Sequence, residues 1–386
     1  MAGYIYLSNS SKPSASAQNT PKAVHLTNMS LPYLRAAHDL GYSLNLGINS
    51  NATESDADLP ISFFKSFVYR NPLNFKDNLK AYKAVCKAIS ENDVEAIHCN
   101  TPVGGMVGRL AAKKCKVKKV IYQAHGFHFY KGAPKKNWLI FYPIEKLLAR
   151  FTDAIITINL EDFEAAKKFR LKKGGKVYYV HGVGITTDMF SQVEDNARAD
   201  MRKELGIQED DMLLISVGEL NKNKNNAVII RAIAALNNPK IKYILCGVGP
   251  EKEALESLAK ELCVSEQIMF LGFRRDVPKL YKASDVFVMP SFREGLSRSI
   301  MEAMSAGLPC IVSDIRGNCD LIENGENGYL CTASDYGAFA KAIENLAENK
   351  ALREKMSSQN LEKVKSFDIG VVEKEIKDIY SEVLGK

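Results

Sequence analysis

Two carboxylates eight residues apart, Glu294 and Glu302, stand in the segment 291–304, directly after an apolar run that ends at Pro290. In one continuous helix they would lie about 12 Å apart along the axis, too far to share one small group. Gly295 and Ser297 argue for a different arrangement, in which Glu294 lies in a loop, Ser297 caps the helix and Glu302 sits one or two turns inside it. Free amides near Leu296 and Ser297, together with the positive end of the helix dipole, would then hold a diphosphate without a metal ion. Glu302 is placed to accept two hydrogen bonds from a ribose diol, and Glu294 to meet hydroxyls of a transferred sugar. The plain alternative is a loop acid followed by an exposed helix acid, and the strand, loop and cap context outweighs it.

Three further loops carry residues of the same kind. Val217 leads through Gly218 into the polar, basic turn Glu219-Leu-Asn-Lys-Asn-Lys224-Asn-Asn226, a phosphate-facing position in doubly wound folds, where Lys224 or Lys222 could neutralise a leaving diphosphate, each taken singly reading equally as part of an exposed basic turn. The turn Cys246-Gly247-Val-Gly249-Pro250 also follows a strand and would let backbone approach a nucleotide, although a GxGP turn is weak evidence alone. In the first half, His125-Gly126-Phe-His128-Phe follows a strand end, and imidazoles there can hydrogen-bond a substrate hydroxyl or assist the reacting centre. Asp56-Ala-Asp58 has the form of a metal-binding DxD pair, but it lies in the polar stretch 49–59 and reads as a solvated loop. The Gly182-Val-Gly184 turn lacks the third glycine and following helix of a dinucleotide fingerprint.

Positioning these loops requires a framework, and the rest of the chain supplies its pattern. Short runs rich in β-branched and aromatic residues at 4–7, 43–46, 96–99, 119–123, 154–158 and 177–180 alternate with helical periods at 78–89, 106–114 and 137–149. A second series has strands at 213–217, 242–246, 268–271, 286–289 and 310–312, with helices at 227–236, 252–262 and 298–306. The expected fold class is therefore α/β, with two doubly wound units joined near 181–193. The expected domains are 1–187 and 188–369, with the terminal helix 370–386 crossing back to the first.

With 386 residues, 46% of them hydrophobic, the chain is long enough for two cores. Its eight cysteines are scattered without a CxxC pair and read as reduced core thiols. The start of the chain lacks a basic, apolar leader and no run of about 18 apolar residues appears, so a cytoplasmic location is expected. The net charge of +7 is uneven: residues 1–190 hold 26 Lys+Arg against 14 Asp+Glu, the remainder 26 against 31. The basic clusters of the first half read equally as a surface for anionic lipid or an anionic acceptor and as an ordinary solvated face. Nucleic acid is the least fitting partner, because no aromatic platform interleaves those lysines.

On these motifs the sequence resembles glycosyltransferase family 4, most closely over 213–330. Glu294 and Glu302 match its E-x7-E pair, and Gly218-Glu-Leu-Asn-Lys-Asn-Lys224, Gly272-Phe-Arg-Arg-Asp276 and Ser313-Asp-Ile-Arg-Gly-Asn318 are similar to a branch that makes capsular and extracellular polysaccharide. The resemblance implies a GT-B fold, two Rossmann-like domains facing across a cleft, and retaining, metal-independent transfer from a nucleotide diphosphate sugar, UDP being the favoured nucleotide. It places Glu294 on the donor sugar and Glu302 on ribose, and puts Phe273 and Arg274 with Gly218, Gly247, Gly249, Gly295, Leu296 and Ser297 on the donor side. The family's sugar-contacting histidine falls on His125, while His25, ahead of Leu31-Pro-Tyr-Leu34, and His128 fall on the acceptor side. The implied acceptor is a glycan or a polyprenyl-diphosphate-linked sugar at the inner membrane face, with no cofactor. Glu219 departs from the pattern, since many members carry Arg there as a diphosphate clamp, so Lys224 must carry more of the charge, with Arg298 as a candidate helper. The Ser-rich insert 8–20 is also longer than the branch expects. Rival functions are a nucleotide-sugar epimerase of the same architecture and a catalytically silent nucleotide-binding subunit.

Overall fold

The computed structural model describes residues 1–8, 23–72, 74–194 and 196–385. It divides into two compact units, 1–184 with 370–386, and 185–369. Most of the Ser-rich insert lies outside the described residues.

In the first unit the strands are β1 (Gly3–Leu7), β2 (Ala23–Val24), β3 (Ser43–Ile48), β4 (Glu54–Ser55), β5 (Ile61–Lys65), β6 (Val94–Asn100), β7 (Lys119–Ala124), β8 (Ala154–Thr157) and β9 (Lys176–Tyr179). Seven form a sheet in the order β5-β3-β1-β6-β7-β8-β9, and every pairing in it is parallel. The inner strands β1, β7 and β8, buried along their length, read as largely apolar runs instead of alternating ones. The chain moves outward from β1 in one direction, returns, and moves outward in the other, so the loops after β1 and β6 part at a switch point.

The second unit repeats the plan with β10 (Met212–Val217), β11 (Ile241–Cys246), β12 (Ile268–Gly272), β13 (Val286–Met289), β14 (Cys310–Ser313) and β15 (Gly328–Cys331). Their order is β12-β11-β10-β13-β14-β15, again with parallel pairings. The switch point lies between β10 and β13. Two cores cover its faces, one around Leu214, Ile230, Tyr243 and Phe339, the other around Ile215, Phe287, Met301 and Met304.

Strands β5 and β15 and the helices Tyr336–Glu348 and Lys350–Lys363 had no counterpart in the sequence reading. β5 shows why: Ile-Ser-Phe-Phe-Lys is an edge strand, only partly buried, and its pattern is too short to separate from a loop. The cysteines also need correction. All eight are free, and Cys99, Cys246, Cys310 and Cys331 are buried, but Cys263 and Cys319 are exposed.

The last helix, Ile369–Leu384, belongs to the first unit and is held there by polar contacts in an otherwise apolar setting. The Tyr380 hydroxyl lies 2.7 Å from the Tyr4 hydroxyl and 2.7 Å from His98 Nδ1, all fully buried. Glu375 adds a carboxylate that accepts from the His181 amide at 3.0 Å and meets its ring at 2.5 Å. Burial drives the His98 ring down to about 3, the nearby His125 adding to the effect. A second buried anchor joins two helices: Arg109 of Pro102–Cys115, fully buried, donates from Nη2 to Glu145 of Lys135–Ala149 at 2.7 Å and stacks on Tyr122.

Removing one partner of a buried ion pair leaves an uncompensated charge, whereas replacing both is nearly neutral. Glu145→Ala should therefore lower stability by about 3–5 kcal/mol, and Arg109→Met with Glu145→Leu should recover most of it, read as chemical denaturation of the full chain. For His98 the unfolded ring binds protons more readily than the folded one. Stability should thus be complete above its ordinary value of 6.5 and decline as pH falls towards about 3. Hydrogen-exchange protection factors of the 369–384 amides should fall over that window, and less so in His98→Gln.

Candidate active site

The loops that leave β10 and β13 meet at the switch point of the second unit, where ligands of doubly wound sheets collect. Asparagines join them. Asn223 accepts from the Phe292 amide through its carbonyl at 2.8 Å and donates from its side chain to the Arg293 carbonyl at 2.9 Å. Asn225, in the left-handed region at φ 54°, donates to the carbonyls of Pro290 (3.1 Å) and Ala333 (2.7 Å). Asn tolerates that conformation better than most residues, and the kink aims the intervening lysine inward.

Lys224 reaches Glu294, with Nζ 2.8 Å from Oε1, and the two side chains are only 21% and 15% exposed. The sequence reading gave these residues to different parts of a ligand. In the structure they neutralise one another, lying where a Lys224 stem passes Gly218. The Glu294 loop is gripped from the other side by the turn after β14. Arg316, 9% exposed, approaches the Glu294 carbonyl from Nε and Nη2, both at 3.4 Å. Gly317, at φ 80°, lies so close to Gly295 that an added Cβ would stand 2.1 Å from the Gly295 carbonyl oxygen, so only glycine fits there. The turn 313–318 was legible as a motif, but its task of bracing Glu294 was not.

The helix Arg298–Ser305 begins as expected with Ser297 at the N-cap, yet Ser297 makes no capping hydrogen bond. Its hydroxyl instead turns to Met289 Sδ (3.3 Å) and Ser299 Oγ (3.1 Å). Ser297 therefore adds no side-chain acceptor to the first-turn amides, which suits an anion more than a capped terminus would. Glu302 accepts from Arg298 Nε at 2.8 Å and from the Tyr281 hydroxyl at 3.4 Å. Burial raises its carboxyl above the usual range, with Arg298 opposing. Arg298 is thus engaged with Glu302, although it remains 56% exposed.

Other donor-side expectations change. Gly247 and Gly249 serve chain packing: a Cβ would stand 1.8 Å from the Gly218 carbonyl oxygen and 2.3 Å from that of Leu220. Their glycines admit the neighbouring turn, which answers for the GxGP pattern before any ligand is considered. Arg274 is committed to Asp276 (2.5 Å) and Glu204 (3.1 Å), while Phe273 stands exposed beside it. Glu219, at the clamp position, accepts from Asn221 at 3.0 Å.

In the first unit, His125 follows β7. Its Nε2 is buried without a hydrogen-bond partner among the described residues, and burial lowers the ring to about 4, so it is neutral at physiological pH. Phe127 and Lys131 donate their amides to Asp162 and Glu161 of the helix Leu160–Ala166, which fixes the loop. The His128 ring lies tilted against Phe141, with centroids 4.5 Å apart. His25 is paired with Asp56, whose carboxylate also accepts from the Leu26 amide at 2.9 Å. Asp56 is exposed in a bend, as its polar surroundings implied, and in addition partners His25. Tyr6, His25, Met29, Asn49 and Asn100 border a cavity of about 430 Å³ near the β1 end.

The model for "Glycosyl transferases group 1" matches residues 197–363, and that for "Glycosyl transferase 4-like" matches 22–159. Among curated proteins, the chain is 36% identical over 361 residues to glycosyltransferase EpsD of Bacillus subtilis (strain 168), covering 92% of this chain and 93% of that one. It is 29% identical over 329 residues to the UDP-Gal:alpha-D-GlcNAc-diphosphoundecaprenol alpha-1,3-galactosyltransferase of Escherichia coli, covering 84% of each. Among solved structures, HepE (Alr3699) of Anabaena in complex with UDP superposes with a TM-score of 0.76 at 20% identity, over 98% of this chain and all of that one. WaaG, a glycosyltransferase involved in lipopolysaccharide biosynthesis, gives 0.71 at 17% identity over the full length of both. At such identity these two speak for the fold. Two parallel, doubly wound sheets and relatedness along nearly its full length together mean that this chain belongs to the family 4 glycosyltransferases, with the GT-B fold.

Proposed function

We propose that the chain transfers a hexose-type sugar from a UDP-sugar to a glycan or lipid-linked acceptor in surface polysaccharide synthesis, with retention at the anomeric carbon and without a metal ion. The observation that carries this reading is the half-buried Lys224–Glu294 pair beside the start of the helix Arg298–Ser305, whose N-cap side chain is turned away. A related protein is named for a UDP-Gal donor and a diphosphoundecaprenol-linked acceptor, and a fold neighbour was solved with UDP, which supports the choice of nucleotide and acceptor class.

In this scheme the diphosphate binds at the helix start, and Lys224 exchanges its carboxylate partner for a phosphate oxygen. Glu294, released, accepts from hydroxyls of the donor sugar, and Glu302 accepts from the ribose diol. As the anomeric C–O bond breaks, negative charge grows on the leaving phosphate, where Lys224 and the first-turn amides stabilise it. The acceptor hydroxyl attacks from the same face and gives its proton to the departing phosphate oxygen. Neutral His125, with Nε2 unpartnered, holds a sugar hydroxyl.

Lys224→Ala should reduce turnover on the order of 10²–10³-fold, measured by UDP release from a panel of UDP-sugars with acceptor present, and chelation should leave turnover unchanged. Transfer at undiminished rate by Lys224→Ala would remove the site from consideration. Donor incubated alone should not change its sugar configuration, which separates transfer from epimerisation. Glu302→Gln should weaken UDP binding about 10–100-fold, the worth of one or two charge-assisted hydrogen bonds. Because the Glu302 carboxyl titrates above its ordinary value, the charged form needed for the ribose is lost earlier than usual as pH falls. Calorimetric UDP affinity should therefore decline more steeply in the native chain than in Glu302→Gln as pH falls towards the ordinary carboxylate range.

A further inference from the structure

The helix Lys135–Ala149, which follows the His125 loop, is apolar on two opposite sides. Its inward side packs Phe141, Leu148 and Ala149 and is pinned by the buried Glu145–Arg109 pair. Its outward side presents Leu139 (77% exposed), Ile140, Ile144 and Leu147. At 100° per residue these four, with Pro143, span an arc of about 140°. A helix that is apolar all round normally lies inside a protein, so one left at the surface has an outer face awaiting a partner.

The charges beside that face are of one sign. Lys135, Lys146 and Arg150 border it along one edge and Lys136 lies within it, all exposed, while the helix's single acid, Glu145, is turned inward and neutralised. Trp138 lies on the other side of the helix, packed against Phe129 and Tyr142 with Nε1 bonded to the Tyr130 carbonyl at 3.2 Å, and takes no part in this face. Among the described residues no helix is long and apolar enough to cross a membrane.

From this juxtaposition we infer that the outer face of the helix Lys135–Ala149 is a docking surface for an anionic lipid bilayer, lying in the interface with Leu139, Ile140, Ile144 and Leu147 inserted among acyl chains and the cations against headgroups. A second copy fits less well, because mating two such faces brings like-charged edges together. From its inward side the same helix touches the loop after β7, where Phe141 lies tilted against His128, three residues past His125. The inference deepens the reading of a lipid-linked acceptor, and its test reads binding without turnover, so that the two can fail separately.

Full-length protein is sedimented with vesicles of phosphatidylglycerol and phosphatidylcholine in equal parts, or of phosphatidylcholine alone. Binding to the anionic vesicles, weakened by salt and absent from the neutral ones, is the expected result. Lys135→Gln, Lys136→Gln and Lys146→Gln together should lower partition on the order of 100-fold. Leu139→Ser, Ile140→Ser, Ile144→Ser and Leu147→Ser together should abolish it, while donor hydrolysis in solution is unchanged in both. The equal charge change Lys252→Gln, Lys341→Gln and Lys350→Gln in the other unit should leave binding intact. The inference fails if the native protein ignores anionic vesicles or if the serine variant binds as well as the native chain. It fails equally if the face proves to be a dimer interface, with self-association lost in the serine variant and no vesicle binding by the native chain.

Discussion

A half-buried lysine gains from an anion beside it, and the pairing of Lys224 with Glu294 organises the second unit. Lys224 is delivered by the loop after β10 and Glu294 by the loop after β13, the strands that part at the switch point. Neither loop is regular structure, so each needs another means of holding its shape. Asn223 and Asn225 tie the first to the second through backbone carbonyls, and Arg316 with Gly317 presses the second from behind. The ion pair is thereby held by bonds to backbone, which cost less conformational entropy to maintain than long side chains would.

The first unit solves a different problem with similar means. Its sheet is covered by a helix from the far end of the chain, and an apolar contact alone would leave the register of that helix loosely set. Buried hydroxyls at Tyr4 and Tyr380 and the ring of His98 supply directional contacts that one placement satisfies. Polar networks in a low-dielectric core are strong when complete and costly when broken, so this one selects a single docking of Ile369–Leu384. The same region holds His98 Nε2, Asn100 Oδ1, Gln123 Oε1 and His125 Nε2, buried without partners among the described residues. Four such atoms near the carboxyl ends of β6 and β7 mark the place where the first unit departs from the rule that buried polar groups are paired.

Much of this was legible from sequence because strongly apolar strands and the loops that follow them announce themselves. The strands β10, β11 and β13, and the loops at Gly218, Gly247 and Glu294, could be placed from runs such as Leu-Leu-Ile-Ser-Val ending in glycine or proline. Long-range partnership was not legible. Nothing local tells that Arg316 braces Glu294, that Arg274 answers to Glu204, or that Gly247 is small because Gly218 lies against it. His25 and Asp56 illustrate the limit from both sides: each was noticed, 31 residues apart, but only the pairing of β2 with β4 brings them together. Capping is a subtler case. Residue type located the N-cap at Ser297 correctly, yet the hydroxyl found a better-placed partner in Met289, which propensity cannot foresee.

Charge accounting then constrains how a diphosphate would be received. Lys224 is balanced by Glu294 and Arg298 by Glu302, so neither cation turns to an anion until its carboxylate partner is displaced. Adding a diphosphate to that arrangement unchanged would bury net negative charge in a place of low dielectric, which is strongly unfavourable. Under the proposed function the donor must therefore be bound by exchange: phosphate takes over Lys224, and Glu294 turns to sugar hydroxyls that only a complete donor supplies. A nucleoside diphosphate without its sugar frees Glu294 but offers it nothing. The Lys224–Glu294 contact so becomes a means of discrimination, since the full energy of anion binding is released only when the sugar is there to replace the lysine as the carboxylate's partner.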